Sequence, residues 1–324
     1  MMPEIPVIDI GTGGASALAK SCPEQVTELR LAMRRRFGAL GLRLGDVATR
    51  SWLRRSENPF LAEFESLAEL WNGAGVYILN AMSDFSSTSA AVTDHQGYFR
   101  LVRVVDWRVE GAGRNLVLAR QRGAAGAFLA LTWPGMVGVI SAMAKGRFAA
   151  ALNQPPQAIH RLGKRGDWLI NRVELSRHGG LPADHLLRQV FETAPDFVTA
   201  RQMLCDTPLA ASAIFTLVGV KPGEGCVIER TRTEAAVRPG PAAAANHWCQ
   251  MPLAGHAIGK DSAGRQRAME RLLNYPPARL TWLAPPVLNK DTRVAMVADP
   301  LAGTLVAQGW DRCEQVTCPL VLNS

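Results

Sequence analysis

The sequence predicts an α+β fold, on three observations. Residues 24–72 carry apolar side chains at helical spacing. From about Tyr77 to Leu152, short alternating runs follow one another, punctuated by Gly97, Gly123, Gly126, Gly135 and Gly146. After a helical interlude, strands return without the strand–helix–strand alternation of a parallel sheet.

Each element follows from its own pattern. Gly11-Thr12-Gly13-Gly14 lacks the lysine of a phosphate loop and the full GxGxxG, so it reads as a flexible turn. Val26, Leu29, Leu31, Ala32 and Phe37 form one helical stripe. Ser51 is placed to cap a second short helix, and 63–71 reads as a third. Strands are expected at 87–94, 99–106, 115–121, 126–132, 135–142 and 147–153, as an antiparallel meander. The spacing turns helical over 165–204. Pro182 opens a helix through Leu186, Leu187, Val190 and Phe191, and a second carries Phe197, Ala200, Met203 and Leu204 on one face. Strands follow at 212–219, 224–230 and 233–238, then a helix near 261–274 and two strands near 292–299 and 303–309.

Composition narrows the function. The chain has 324 residues, 48 % of them hydrophobic, enough for a sizeable core. It has no uninterrupted apolar run long enough to span a bilayer, so no transmembrane segment is expected. The start, Met1-Met2-Pro3-Glu4-Ile5-Pro6, does not read as a secretory signal, and a cytoplasmic location is expected. The net charge is +8, but the basic residues are scattered apart from Arg34-Arg35-Arg36 and Arg54-Arg55. They lack interleaved aromatic residues, so no nucleic-acid partner is expected; weak contact with anionic lipid is left open. The six cysteines show no CxxC spacing and the six histidines no HExxH, so neither metal nor cofactor is expected. Cys313 and Cys318 are near enough in sequence to pair, although buried or free thiols fit a reducing compartment better.

The informative stretch runs from Ser86 to Asp106. Ser87 begins an alternating strand, Gly97 marks a turn, and the return strand carries Arg103 and Asp106, sixteen and nineteen residues after Ser87. A nucleophile at a strand start, with a cation and a carboxylate returned beside it, suits a hydrolase that cuts itself before the nucleophile and uses the freed α-amine as base. The plain alternative is an ordinary polar strand start. Arg103 and Asp106 differ by an odd number, so a regular strand faces them oppositely. A bulge or strand end near Asp106 is required if both are to reach Ser87.

Four blocks in order resemble the acid ceramidase and N-acylethanolamine acid amidase family. Ser87-Thr88-Ser89 stands where that family has Cys-Thr-Ser, with Arg103 and Asp106 at the family spacing. Trp133-Pro134-Gly135-Met136-Val137-Gly138-Val139, Gly146-Arg147-Phe148 and Leu152-Asn153 resemble its Gly-Tyr-Val-Gly…Gly-x-Phe…Leu-Asn-Glu run. Gly223-Glu224-Gly225-Cys226-Val227-Ile228-Glu229-Arg230 resembles Gly-Glu-Gly-Cys-Val-Ile-Thr-Arg, and Pro286-Val287-Leu288-Asn289-Lys290 resembles Pro-Val-Leu-Asn-Lys.

The resemblance implies a four-layer αββα sandwich of the N-terminal-nucleophile (Ntn) hydrolase type. Residues 1–86 would form an N-terminal helical segment and 87–324 the hydrolase core, separated by scission of the Ser86–Ser87 bond. It implies that Ser87 is the nucleophile, that Asp106 orients the freed amine, and that Arg103 balances Asp106 near the scissile carbonyl. Asn246 would contribute its amide to the oxyanion hole, and Arg265 matches a second family arginine whose plain alternative is a solvated helix-start charge. Three departures from the pattern bear on the site: Trp248 replaces the aspartate that follows the family's Asn-Tyr, Gln154 replaces a glutamate, and Ser87 replaces the cysteine.

Three readings of Ser87 follow: a natural serine nucleophile, a cysteine replaced so as to trap the precursor, or a non-catalytic descendant. Retention of the other site residues argues against the last, and the second is taken ahead of the first. The function expected is hydrolysis of a linear C–N bond in a small N-acyl amide. The alternatives are acyl transfer on the same fold or non-catalytic binding of an acyl amide. Trp133, Met136, Val137, Val139 and Met143 are candidates for an apolar substrate face, or else ordinary core. The oligomeric state is not legible.

Overall fold

A computed structural model describes residues 2–81, 85–161, 163, 167, 170, 171 and 178–323. Two sheets pack face to face. The first has eight strands: β1 (Val7–Gly11), β4 (Val117–Gly123), β5 (Gly126–Thr132), β6 (Ser141–Ala144), β7 (Phe148–Asn153), β9 (Ala213–Val218), β10 (Gly225–Arg230) and β11 (Ala235–Pro239), in that spatial order. The second runs β12 (Ala242–Ala244), β2 (Phe85–Thr93), β3 (Phe99–Trp107), β14 (Thr292–Asp299), β15 (Thr304–Asp311) and β16 (Glu314–Gln315), with β17 (Leu320–Asn323) also on β15. A ribbon of β8 (Gln157–Ala158) and β13 (Gly255–His256) stands apart.

Helices α6 (Ala183–Thr193) and α7 (Phe197–Asp206) cover the first sheet, while α8 (Ser262–Glu270) covers β2 and β12 of the second. Strands β2 and β3 lie against β7 and β9 between the sheets. The result is the expected four-layer α+β sandwich. Its core runs through both sheets because alternate residues of each inner face must leave water together; Leu101, Val105, Phe148, Phe215 and Met296 are all buried there.

The N-terminal segment comprises α1 (Gly14–Ser21), α2 (Pro23–Phe37), α3 (Ala39–Arg55), α4 (Leu61–Trp71) and α5 (Val76–Ala81). It is not wholly helical: β1 pairs in parallel with β4, which seats residues 7–11 in the first sheet. Ser51 does not cap a helix, because α3 runs through it unbroken.

Residues 76–81, read above as the start of the strand region, are helical. The Asp46 carboxylate accepts the N–H groups of Gly75 and Ile78 at 2.6 and 2.9 Å and so caps α5. The expected strand at 135–142 begins only at Ser141. Gly135 turns the chain at φ +100°, and the Asn80 side chain takes the place of a ladder partner, donating to the Gly135 carbonyl at 2.8 Å and accepting from Val137 N–H at 2.6 Å. The last helix is shorter than 261–274, ending at Glu270. The helical reading of 165–177 falls largely outside the described residues. All six cysteines are free thiols, so Cys313 and Cys318 do not pair. Among the described residues no helix is long and apolar enough to cross a membrane.

Candidate active site

Register decides which side chains meet. In the antiparallel pair β2–β3, Ser86 lies opposite Asp106, Ser87 opposite Val105 and Ser89 opposite Arg103. Directly opposed residues share a face, and faces alternate along each strand. Ser87, Ser89 and Arg103 therefore face the first sheet, whereas Ser86, Thr88 and Asp106 face α8. A bulge does occur beside Asp106, but in β14 between Thr292 and Val294, leaving the β2–β3 register intact. Arg103 and Asp106 thus stay on opposite faces, and the expected Arg103–Asp106 pair does not form.

Arg103 instead reaches into the first sheet. Its guanidinium donates to Ser141 Oγ at 3.2 Å, to Asn153 Oδ1 and to the Leu152 carbonyl. Asn153 passes the link on, donating to the carbonyls of Ala244 and Ala245 at 3.1 and 3.2 Å. Ser89 joins the network, 3.2 Å from Asn153 Oδ1 and 2.7 Å from Thr216 Oγ1. Burial pushes the Arg103 guanidinium down to about 9, against the opposing pull of the Asp106 charge, so it stays cationic at neutral pH.

The cation beside Asp106 is Arg265, 3.6 Å from Oδ2. Thr292 Oγ1 donates to Asp106 Oδ1 at 2.9 Å, and Ser86 Oγ to Oδ2 at 3.4 Å. Burial raises the Asp106 pKa; the Arg265 charge and hydrogen bonds from Asn289 and Thr292 pull it back. Arg265 is no solvated helix-start charge: it is wholly buried. Its Nη1 donates to the Ser87 carbonyl at 2.8 Å and to Thr88 Oγ1 at 2.7 Å, its Nη2 to Asn246 Oδ1 at 2.9 Å, and its Nε to the Lys260 carbonyl at 2.9 Å. Burial lowers its pKa, and Asp106 and Asp261 oppose the shift.

Asn246 meets Ser87 in the opposite sense from the expectation. Its Oδ1 accepts the Ser87 backbone N–H at 2.9 Å, while its Nδ2 donates to the Gln154 carbonyl at 2.7 Å. The arginine fixes this orientation, since a guanidinium only donates and the amide oxygen must face it. Toward residue 87, Asn246 is an acceptor here rather than an oxyanion donor. Gln154 enters the site through its backbone, which any residue supplies.

Ser87 is wholly buried, and its Oγ has no hydrogen-bond partner among the described residues. A buried orphan hydroxyl costs free energy, and it belongs to the residue the sequence marks as nucleophile. The Ser87 backbone is held on both sides of that hydroxyl, by Asn246 at the N–H of the Ser86–Ser87 peptide and by Arg265 at the Ser87 carbonyl of the next peptide.

The sequence reading gave no side-chain role to several participants: Ser86, Thr88, Ser89, Ser141, Thr216, Thr292, Ser262 and Glu229. An isolated Ser or Thr inside an apolar strand, as in Ala213-Ile214-Phe215-Thr216-Leu217-Val218, signals a buried polar partner. Trp133, Met136, Val137, Val139 and Met143, considered for a substrate face, lie buried in the main core.

No family model matches the chain. It is similar to acid ceramidase of Heterocephalus glaber, 31 % identical over 121 residues, which covers 36 % of this chain and 28 % of that protein. It is also similar to the N-acylethanolamine-hydrolyzing acid amidase of Cavia porcellus, 24 % identical over 180 residues, covering 54 % of this chain and 49 % of that one. The matched segments thus span about half or less of these relatives' length. Among solved structures, the Caenorhabditis elegans N-acylethanolamine-hydrolyzing acid amidase ortholog superposes with a TM-score of 0.52 at 18 % identity, over 66 % of this chain and 92 % of that one. The chain has the Ntn-hydrolase fold, and its sequence resembles acid ceramidase and N-acylethanolamine acid amidase as the four motif blocks indicate.

Proposed function

We propose that this chain is an amidohydrolase of small N-acyl amides, matured by scission of its own Ser86–Ser87 bond and carrying the acyl group on residue 87. The observation that carries the reading is the orphan Ser87 hydroxyl on a backbone held by Asn246 and Arg265. The similarity to amidases acting on N-acyl compounds supports it.

In maturation, the residue 87 hydroxyl adds to the Ser86 carbonyl, and the peptide N–C bond gives way to an ester. Water then releases the Ser86 carboxylate and leaves a free α-amine on residue 87. That amine titrates near 8 when unperturbed, so it can act as base for the neighbouring hydroxyl. Asn246 Oδ1 already faces the nitrogen that becomes the amine. In turnover the hydroxyl attacks the substrate carbonyl, the amine group leaves, and water frees the acid.

The two pieces, 1–86 and 87–324, would stay together. Glu63 and Arg188 pair at 2.8 Å, Asn58 meets His185 at 2.9 Å, and β1 remains paired with β4. The six free thiols fit a reducing, cytoplasmic setting. Weak contact with anionic lipid is supported by Leu40, Leu44 and Val47, which are 70 %, 64 % and 71 % exposed on one face of α3 close to Arg43 and Arg50.

The test uses cleaved protein, obtained through Ser87→Cys, against N-acyl amides of graded chain length. Released amine together with an acyl adduct on residue 87 supports the reading. Reversible binding without either outcome leaves a binding protein. Transfer of the acyl group to an added amine in preference to water points to an acyltransferase.

A further inference from the structure

Asn246 lies beyond the end of β12, outside any strand, yet its amide must hold one orientation to accept from Ser87 and Arg265 together. Two groups to which the sequence reading gave no role fix the backbone at and after it. The first is Ser262, the opening residue of α8, whose Oγ accepts the Asn246 backbone N–H at 2.9 Å and lies 2.8 Å from His247 Nδ1. Arg265 follows one turn later on the same helix and donates to the Asn246 side chain. One helical turn therefore grips both the backbone and the side chain of Asn246.

The second group is Glu229 on β10. Its side chain sits in a residue only 1 % exposed. Its oxygens accept three successive backbone N–H groups: Cys249 at 2.8 Å, Gln250 at 2.9 Å and Met251 at 3.0 Å. A carboxylate receiving several amides in a buried setting is a rigid anchor, because each charge-assisted bond is stronger than a neutral one and none is readily replaced by water. The anchored turn begins three residues after Asn246. In the motif block resembling Gly-Glu-Gly-Cys-Val-Ile-Thr-Arg, Glu229 stands at the threonine. Trp248, in turn, stands where an acidic residue closes the Asn-Tyr-Asp run. The chain thus gains a carboxylate on β10 beside the segment that has lost one.

We propose that Glu229 and Ser262 are positioning residues for the reaction at residue 87, acting through Asn246. The inference rests on the reading of residue 87 given above. Glu229 clamps the turn that follows Asn246, Ser262 clamps the Asn246 amide, and between them the Asn246 Oδ1 is held on the nitrogen of residue 87. Misplacement by a fraction of an ångström is enough to cost rate at a preorganised site.

The experiment compares Glu229→Gln, Glu229→Asp and Ser262→Ala, each in the Ser87 chain and in the Ser87→Cys chain. In the uncut Ser87 chain, the Asn246 side-chain amide is followed by nuclear magnetic resonance, its signal assigned with Asn246→Asp. Glu229→Gln and Ser262→Ala are expected to shift or broaden that signal and to speed hydrogen exchange at the Ser87 amide about tenfold. In the Ser87→Cys chain, they are expected to slow cleavage and kcat about tenfold or more with KM within about twofold. Glu229→Asp, which keeps the charge, is expected to recover part of the loss. An Asn246 signal unchanged in Glu229→Gln, while the amides of 249–251 shift, overturns the proposal by showing that the clamp is local. A Ser87→Cys parent that neither cuts itself nor hydrolyses amides overturns the reading of residue 87 instead, and the Asn246 signal still reports whether Glu229 sets its orientation.

Discussion

The backbone N–H of Ser87 donates to Oδ1 of Asn246 at 2.9 Å across 159 residues of sequence. This bond joins the nitrogen of the Ser86–Ser87 peptide to an amide that Arg265 holds from the other side. The Ser87 hydroxyl beside it has no hydrogen-bond partner among the described residues, which is the feature the proposed nucleophile role draws on.

Ser87→Cys is expected to cut the chain. A thiol loses its proton far more readily than a hydroxyl and attacks faster once ionised. Denaturing electrophoresis and intact mass would show fragments 1–86 and 87–324. A variant that stays whole after long incubation between pH 5 and 9 would rule out self-scission at this bond.

Removal of Arg265 is expected to destabilise strongly. Arg265→Met strips the buried Asp106 of its cation, leaving an uncompensated charge at a cost of about 3–5 kcal/mol. Asp106→Asn with Arg265→Met is expected to lose less than the sum of the two single changes, because neither partner is then stranded. Urea melts of the three variants measure this directly. Strict additivity would mean that the 3.6 Å approach of the two side chains carries no coupling.

Arg103 and Asp106 are expected to behave differently, because they occupy opposite faces. In cleaved Ser87→Cys protein, both Arg103→Ala and Asp106→Asn are expected to lower amide turnover by about a hundredfold or more. Only Arg103→Ala is expected to release the Asn153 side chain from its partners, visible as a changed Asn153 amide resonance. Full turnover in either folded variant would make that residue structural only.

A buried pair on α6 gives a pH prediction. Burial raises Asp184 to about 7. Its stabilising share is full below the ordinary carboxylate pKa and is lost as pH rises through about 7. Burial, with Arg188 adding to it, lowers His185 to about 3. Its share is full above the ordinary imidazole pKa and is lost as pH falls toward about 3. Between about pH 4 and 6.5 the two slopes oppose each other and nearly cancel. Asp184→Asn removes one of them. The variant is expected to be more stable than the parent at pH 8 by up to ~4 kcal/mol, at about 1.36 kcal/mol per unit, and to lose stability steadily below pH 6.5. A difference from the parent that does not vary with pH would refute the assignment.

Gly135→Ala is expected to cost about 2–4 kcal/mol. The residue sits at φ +100°, and a Cβ there would drive into the Trp71 ring. Since Trp71 belongs to the N-terminal segment, the variant is also expected to loosen fragment 1–86 after cleavage, as read by size-exclusion chromatography in mild urea. A fragment held as tightly as in the parent would place the strain elsewhere.

Some of this was legible in the order of residues alone. Alternation and glycine spacing marked β2, β3, β5 and β7 because strands buried in a sandwich repeat every two residues. The spacing of Ser87, Arg103 and Asp106 marked the candidate site, and the odd separation of Arg103 and Asp106 already implied that a regular strand would set them apart. Strand β1 was not legible, since five residues paired in parallel carry little pattern of their own. The helix at 76–81 was hidden for another reason: its cap is Asp46, about thirty residues upstream.

The sequence by itself determined which residue types converge on the strand beginning at residue 85, because local periodicity and motif order are properties of the chain. Only the tertiary structure decided the rest. It paired Asp106 with Arg265 rather than Arg103, turned the oxygen of Asn246 toward Ser87, and brought Glu229 beneath the turn after Asn246. Those choices depend on which faces of two sheets and a helix are pressed together. A buried donor or acceptor must take whichever partner that packing supplies.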